Sequence, residues 1–131
     1  MNLLLDTHIW LWSALEPDRL SRRVAKAIAA PENDVWISSV SLWEVLLLSS
    51  KGRLTIDGDV TGWIESSLLR GAYREAPLTH QVVLAMDRID LPHRDPADRF
   101  LAATAKCLDL TLVTADENLI SGRGYSVLAN K

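Results

Sequence analysis

The chain has 131 residues, 48% of them hydrophobic and 24% charged, which suits one ordinary soluble domain that buries its core without staples. A net charge of −3 excludes a protein that holds duplex DNA mainly through a broad basic surface, and a single cysteine, Cys107, excludes a disulfide framework. No apolar run approaches the roughly 20 residues of a membrane span, and no basic region precedes the first apolar stretch, so a cytoplasmic protein is expected.

In chain order, strands and helices alternate. Residues 2–5 form a short apolar strand, and 7–15 a helix ended by Glu16-Pro17. A second helix is predicted over 21–30, with Ser21 as N-cap and Pro31 past its end. Residues 35–38 read as a strand, and 40–50 as a third helix that Gly52 ends. A fourth helix, 59–70, is closed by Gly71; 73–76 is a short edge strand; and Thr79 caps a fifth helix, 79–86. A loop over 90–94 leads to a sixth helix, 96–108, with Pro96 at its first position, where the missing N–H does no harm. The run 110–113 reads as a strand buried on both faces, followed by a helical turn, 116–120, and a last strand, 125–128. Alternation of this kind predicts an α/β fold, a short parallel sheet with helices on both faces and the C-terminal ends of its strands on one edge. Cys107, inside an apolar helix pattern, reads as a small buried hydrophobe.

Four acids fall where strands hand over to helices: Asp6, Glu44, Asp98 and Asp116. Each alone has a simpler explanation. Asp6 and Asp116 stand at N-cap positions, Glu44 completes a capping box with Ser41, and Asp98 favours the dipole of a first turn that Asp95 caps. Capping does not explain why all four are carboxylates rather than Ser or Thr. Nor does it explain Glu44, set in a run, 42–48, that is apolar all round and reads as a helix buried on most faces. Four carboxylates on one edge of one sheet cannot all ionise without a cation. Oxygen donors favour Mg2+ or Mn2+ over Zn2+, which would want His or Cys at a spacing absent here. Ten of the fourteen basic residues are Arg, suited to bidentate phosphate contact, although most read as a mixed solvated surface.

These residues resemble the PIN domain, and within it the VapC-type ribonuclease toxins. The matching segments are Leu4-Leu5-Asp6-Thr7-His8, then Ile37-Ser38-Ser39-Val40-Ser41-Leu42-Trp43-Glu44, then His93-Arg94-Asp95-Pro96-Ala97-Asp98-Arg99-Phe100-Leu101, and finally Leu112-Val113-Thr114-Ala115-Asp116. They occur in the family's order and span almost the whole chain; Ala97 departs from the Phe common in similar sequences, a change in packing rather than charge. The resemblance implies a PIN-like three-layer α/β/α fold in one domain and metal-dependent cleavage of RNA. Water whose pKa the metal lowers attacks phosphorus in line with the leaving 3′-oxygen, leaving a 5′-phosphate and a 3′-hydroxyl. Asp6, Glu44, Asp98 and Asp116 would be the metal-site acids, Asp6 and Asp98 the foremost direct ligands, and Asp95 an accessory acid. Thr7, Ser39 and Thr114 would donate to ligands or phosphate, and Arg99 would hold charge at the scissile group. The same resemblance implies a homodimer and a VapB-like antitoxin whose C-terminal segment lies in a hydrophobic groove, with no direct DNA binding without that antitoxin. Trp10, Trp12 and Trp43 are candidate walls of such a groove, though each also suits a core position.

Three other readings stand beside this one. A metal-free ribonuclease would use His8 and His93 as acid and base. A receiver-like Mg2+ signalling module would need a second acid beside Asp6 and a Lys after a late strand, and this chain has Thr7-His8 and Ala115-Asp116 there. A PIN-like protein that binds or processes RNA without acting as a toxin is the third.

Overall fold

The computed structural model describes residues 1–92 and 95–131. His93 and Arg94, and with them the end of the predicted 90–94 loop, lie outside the described residues.

The first strand, β1 (Asn2–Leu5), occupies the middle of a five-stranded parallel sheet of order β3-β2-β1-β4-β5. The other strands are β2 (Asp34–Ser38), β3 (Arg74–Ala76), β4 (Thr111–Thr114) and β5 (Ser126–Ala129). Successive side chains of a strand point to opposite faces. Leu3 and Leu5 therefore join one core, with Ile9, Trp10, Val24, Val45 and Ile64, while Leu4 joins another with Leu101, Ala102, Ala105 and Leu112. Helices α1 (Thr7–Leu15), α2 (Arg22–Ala29), α3 (Ser39–Ser50) and α4 (Val60–Gly71) supply the first core. On the opposite face lie α6 (Pro96–Leu108) and α7 (Glu117–Ile120), with α5 (His80–Met86) packed on α6. Ala102 and Ala105 are fully covered there, their small side chains letting the helix pack closely on the sheet. The result is the expected α/β/α architecture.

The chain runs outward from β1 through β2 to β3, then returns to lay β4 on the other side of β1. This makes the β1/β4 junction a topological switch point, where the loops leaving the two strands diverge and open a crevice. Asp6 and Thr114 stand at that junction.

The caps fall where the sequence places them. Ser21 Oγ accepts from Val24 N (3.2 Å), Asp59 from Gly62 N (3.1 Å), Thr79 from Val82 N (3.2 Å), and Asp95 from Ala97 N (3.1 Å). Gly52 (φ 68°) ends α3 as expected. Gly71 is the last residue of α4, and the left-handed position just past it is taken by Ala72 (φ 51°). A Cβ on Gly71 would collide with the Tyr73 ring, so the glycine also serves close packing. A 3-10 turn, Pro17–Arg19, fills the gap after α1, and strand ends shift by one residue: β4 runs through Thr114 and β5 begins at Ser126.

Three other expectations are corrected. Helix α3 is not buried on most faces: Trp43 is 52% and Leu46 42% exposed, since none of the described residues covers the side of α3 that carries them. Trp10 cannot wall a groove, being fully buried with its Nε1 donating to Ser67 Oγ (3.0 Å) and its ring against Trp63. Cys107 is not a core residue; it is half-exposed on α6, with its Sγ 4.0 Å from the Gln81 carbonyl oxygen.

Candidate active site

Asp6 is placed by backbone bonds on both sides. Its N–H donates to Val113 O on β4 (2.9 Å), and its C=O accepts the first helical bond of α1 from Trp10 N (3.0 Å). Although it occupies the N-cap position, its side chain does not cap α1. The carboxylate is turned to the switch point, where the Thr114 hydroxyl donates to Oδ2 (2.7 Å). The same Thr114 oxygen accepts from Asp116 N (3.0 Å), so one hydroxyl ties the end of β1 to the loop after β4. Burial pushes the Asp6 carboxyl above its ordinary range; the Thr114 bond and the nearby His8 oppose this, and Asp116 reinforces it.

Glu44 enters from α3. That helix starts at Ser39, with Ser38 Oγ capping it at Val40 N (3.1 Å), so Ser41 and Glu44 lie inside the helix and form no capping box. Instead, the Thr7 hydroxyl donates to Glu44 Oε1 (2.5 Å) and lies 2.8 Å from Ser41 Oγ. A hydroxyl has one hydrogen, so Ser41 serves as the donor in the second contact. Ser41 is fully buried, and the sequence gave no sign of this role beyond its place one turn before Glu44. Burial raises the Glu44 carboxyl, the Thr7 bond lowers it, and Asp6 and Asp95 raise it further.

Asp98 completes the group from the first turn of α6. It is buried, and its pKa is pushed up to about 8, first by burial and then by Asp6, Asp95, Asp116 and Glu44 in turn. One carboxyl thus senses all the acids that the sequence singled out, from four separate elements. Asp116 also caps α7 through Asn118 N (2.9 Å), and Asp95 caps α6, so both keep a structural role as well. Arg99 Nη2 donates to the carbonyls of Met86 and Ile89 (3.0 Å each), which ties α6 to the end of α5. Ser39 is exposed at the start of α3.

Tyr125 is a neighbour that no motif marks. Its phenol donates to Leu119 O (2.6 Å), and its pKa rises to about 12 through burial and the charges of Asp98, Asp116 and Asp90. A Cβ on Gly122 would collide with its hydroxyl, which is why a glycine stands there.

The donors offered here are carboxylate and hydroxyl oxygens, the set that suits Mg2+ or Mn2+. Among the described residues no three His, Cys, Asp or Glu side chains form a ready-made ligand cluster. Mg2+ does not require one, because it keeps several waters and binds through one or two carboxylates together with substrate phosphate. The carboxyls at this crevice are raised first by burial and further by one another's charge, and a cation would relieve both costs.

A five-stranded parallel sheet between helix layers, with acids gathered at its switch point, defines a class, and residues 3–123 match the PIN domain; the chain belongs to that family. It is 32% identical over 125 residues to Ribonuclease VapC22 of Mycobacterium tuberculosis (strain ATCC 25618 / H37Rv), covering 93% of this chain and 92% of that one. Its fold is similar to VapBC2 from Rickettsia felis, solved bound to a DNA fragment from their promoter (TM-score 0.73, 16% identity, 98% of each chain). It is also similar to FitAcB from Neisseria gonorrhoeae (TM-score 0.68, 24% identity, 98% of this chain and 97% of that one).

Proposed function

We propose that this protein is a divalent-metal-dependent endoribonuclease and the toxin of a VapBC-type toxin–antitoxin module. The observation that carries the reading is Asp98, a carboxyl raised first by burial and then by four neighbouring acids, Asp95 at the start of its own helix and Asp6, Glu44 and Asp116 from three other elements. Such crowding is stable only if the acids stay protonated or share a cation, and an RNA phosphate brings still more negative charge. The 32% identity to a ribonuclease over nearly the full length supports RNA as the substrate, and the VapBC2 complex supports a VapB-like antitoxin as partner. A homodimer and a cytoplasmic location belong to the same reading; among the described residues no helix is long and apolar enough to cross a membrane.

In this reading Asp6 and Asp98 hold the metal, with Glu44 and Asp116 beside them. When bound, Mg2+ or Mn2+ supplies an activated water and neutralises charge on the phosphate. The chain's own residues then fix geometry. Thr114 orients Asp6, and Thr7 orients Glu44, so neither carboxylate has to reorganise when substrate arrives. Glu44 and Asp116 are the acids available to orient a nucleophile or take up a proton. Thr7 and Thr114 act through the acids they hold, and Arg99 acts by fixing the start of α6.

The test is cleavage of RNA by the purified chain. EDTA should abolish it, and added Mg2+ or Mn2+ should restore it. Asp6→Asn should lower the rate by at least roughly 10²-fold, the scale on which one preorganised charged group matters, while leaving the thermal melt intact. Cleavage that survives chelation, or a folded Asp6→Asn variant cutting at the wild-type rate, would sink the reading.

A further inference from the structure

A groove of about 460 Å3 opens between α1 and the turn that follows α3. It begins where the acids end. Thr7 and Glu44, which touch each other, lie one helical turn before Leu11 on α1 and Leu48 on α3, and both leucines line the groove. The groove lining therefore begins one helical turn beyond the Thr7–Glu44 contact. His8 and Trp12 form one wall; Arg19 and Arg53 border the other.

The two arginines are placed by the backbone. Arg53 follows a Schellman ending of α3, in which Gly52 N bonds Ser49 O (3.1 Å) and Arg53 N bonds Leu48 O (2.9 Å), folding Arg53 back over the groove. Its side chain is exposed, and among the described residues it makes no ion pair. Arg19 is held by Asn130 Nδ2 donating to its carbonyl (3.1 Å), and its guanidinium lies 4.2 Å over the Trp12 ring. Glu16 already pairs with Arg19 (3.3 Å), so among the described residues Arg53 is the groove arginine with no ion pair.

We infer that this groove binds the nucleotide next to the scissile phosphate, with Arg53 on a backbone phosphate and the base lying against the wall that Trp12 forms with the Arg19 guanidinium stacked on it. The inference rests on the ribonuclease reading. Its chemistry is that of single-strand recognition: a cation tracks the phosphates, and a planar ring accepts a base of any sequence. A strand whose phosphate sits at the acids can enter only where negative charge is relieved, and this is the adjoining groove that offers both an unpaired arginine and an aromatic wall. An acidic, leucine-bearing peptide is the competing occupant.

The experiment measures equilibrium binding of a short labelled single-stranded RNA to the full chain carrying Asp6→Asn, across a series of salt concentrations. Adding Arg53→Ala should weaken binding about tenfold, as loss of one charge-assisted hydrogen bond does. It should also reduce the slope of log affinity against log salt by about 0.7, the value for one phosphate contact on a single strand. Trp12→Leu, which keeps bulk but not the stacking face, should weaken binding roughly tenfold with the slope unchanged. Arg74→Ala, removing an arginine at the far edge of the sheet beside Asp34, should change neither. The inference is overturned if Arg53→Ala leaves affinity and slope as they were, or if both variants lose only an acidic leucine-bearing peptide and keep RNA. Because binding is read without turnover, failure here is distinct from failure of the ribonuclease reading, which is scored by Mg2+-dependent cleavage in the chain with Asp6 intact.

Discussion

Asp98 shows how a single carboxyl reports on its surroundings. In the fold it keeps its proton to about pH 8, whereas an Asp free of the fold releases it near 3.8. Between those values the folded chain binds more protons than the unfolded chain, so stability falls as pH rises through that window. In the proposed reading a cation would replace the proton as the source of compensation, and would do so better when the carboxyl is ready to ionise. Melts of EDTA-treated protein should therefore drop from about pH 5 to pH 8, and the rise in Tm on adding Mg2+ should be larger at pH 8. A flat pH profile without metal would contradict the crowding of acids around Asp98. At this scale the sequence already identified the chemical groups: each acid stood beside a helix start, and the set of four pointed to a cation. It did not reveal their partners. Thr7 faces Glu44 across 37 residues and Thr114 faces Asp6 across 108, separations that no local pattern can span.

Among the elements, α1 does the most to join fold and site. Thr7, at its start, meets Glu44; Trp10, one turn on, anchors the core; and Trp12 faces the groove. The four adjacent aromatic and apolar residues 9–12 all read alike in sequence, and only packing separates buried Trp10 from half-exposed Trp12. Trp10→Ala should remove roughly 3–5 kcal/mol of stability, the range for deleting a fully buried aromatic side chain, measured by urea denaturation. The Trp10 ring N–H is also bonded to the buried Ser67 on α4, so the loss should loosen α1 from α4 before the sheet opens. Helix α3 carries the opposite lesson. Its sequence is apolar around nearly the whole circumference, and burial on most faces was the natural expectation. Yet Trp43 and Leu46 face outward, because a helix on the outer layer of an α/β/α sandwich has one side left uncovered.

On the scale of the whole molecule, the sheet order decides where everything lies. Strand β1 is hydrogen-bonded to β2 on one side and β4 on the other, and Leu3, Leu4 and Leu5 are completely covered. Its amides should open only with global unfolding, whereas those of β3 and β5 at the two edges should exchange sooner. Hydrogen exchange followed by mass spectrometry would check this; fast exchange in residues 3–5 would show that the sheet is not the last unit to open. The same centrality makes Asp6 a good place for chemistry, since it extends directly from the most rigid strand. Net charge of −3 is a property of this scale as well. It gives no net attraction to a polyanion, so the proposed contact with RNA relies on local features, a metal at the acids and Arg53 at the groove.

The sequence by itself determined the element types, because hydrophobic period, caps and prolines act over a few residues and need no partner. It determined the class of protein too, through the ordered acids and their flanking segments. Tertiary structure alone decided that β4 lies beside β1, and with that the meeting of Asp6 with Thr114 and of Glu44 with Thr7. It decided which tryptophan is core and which is wall, and it freed Asp6 from the capping task that its position suggested. Those outcomes depend on which strand is neighbour to which, a global balance of packing that local sequence does not encode.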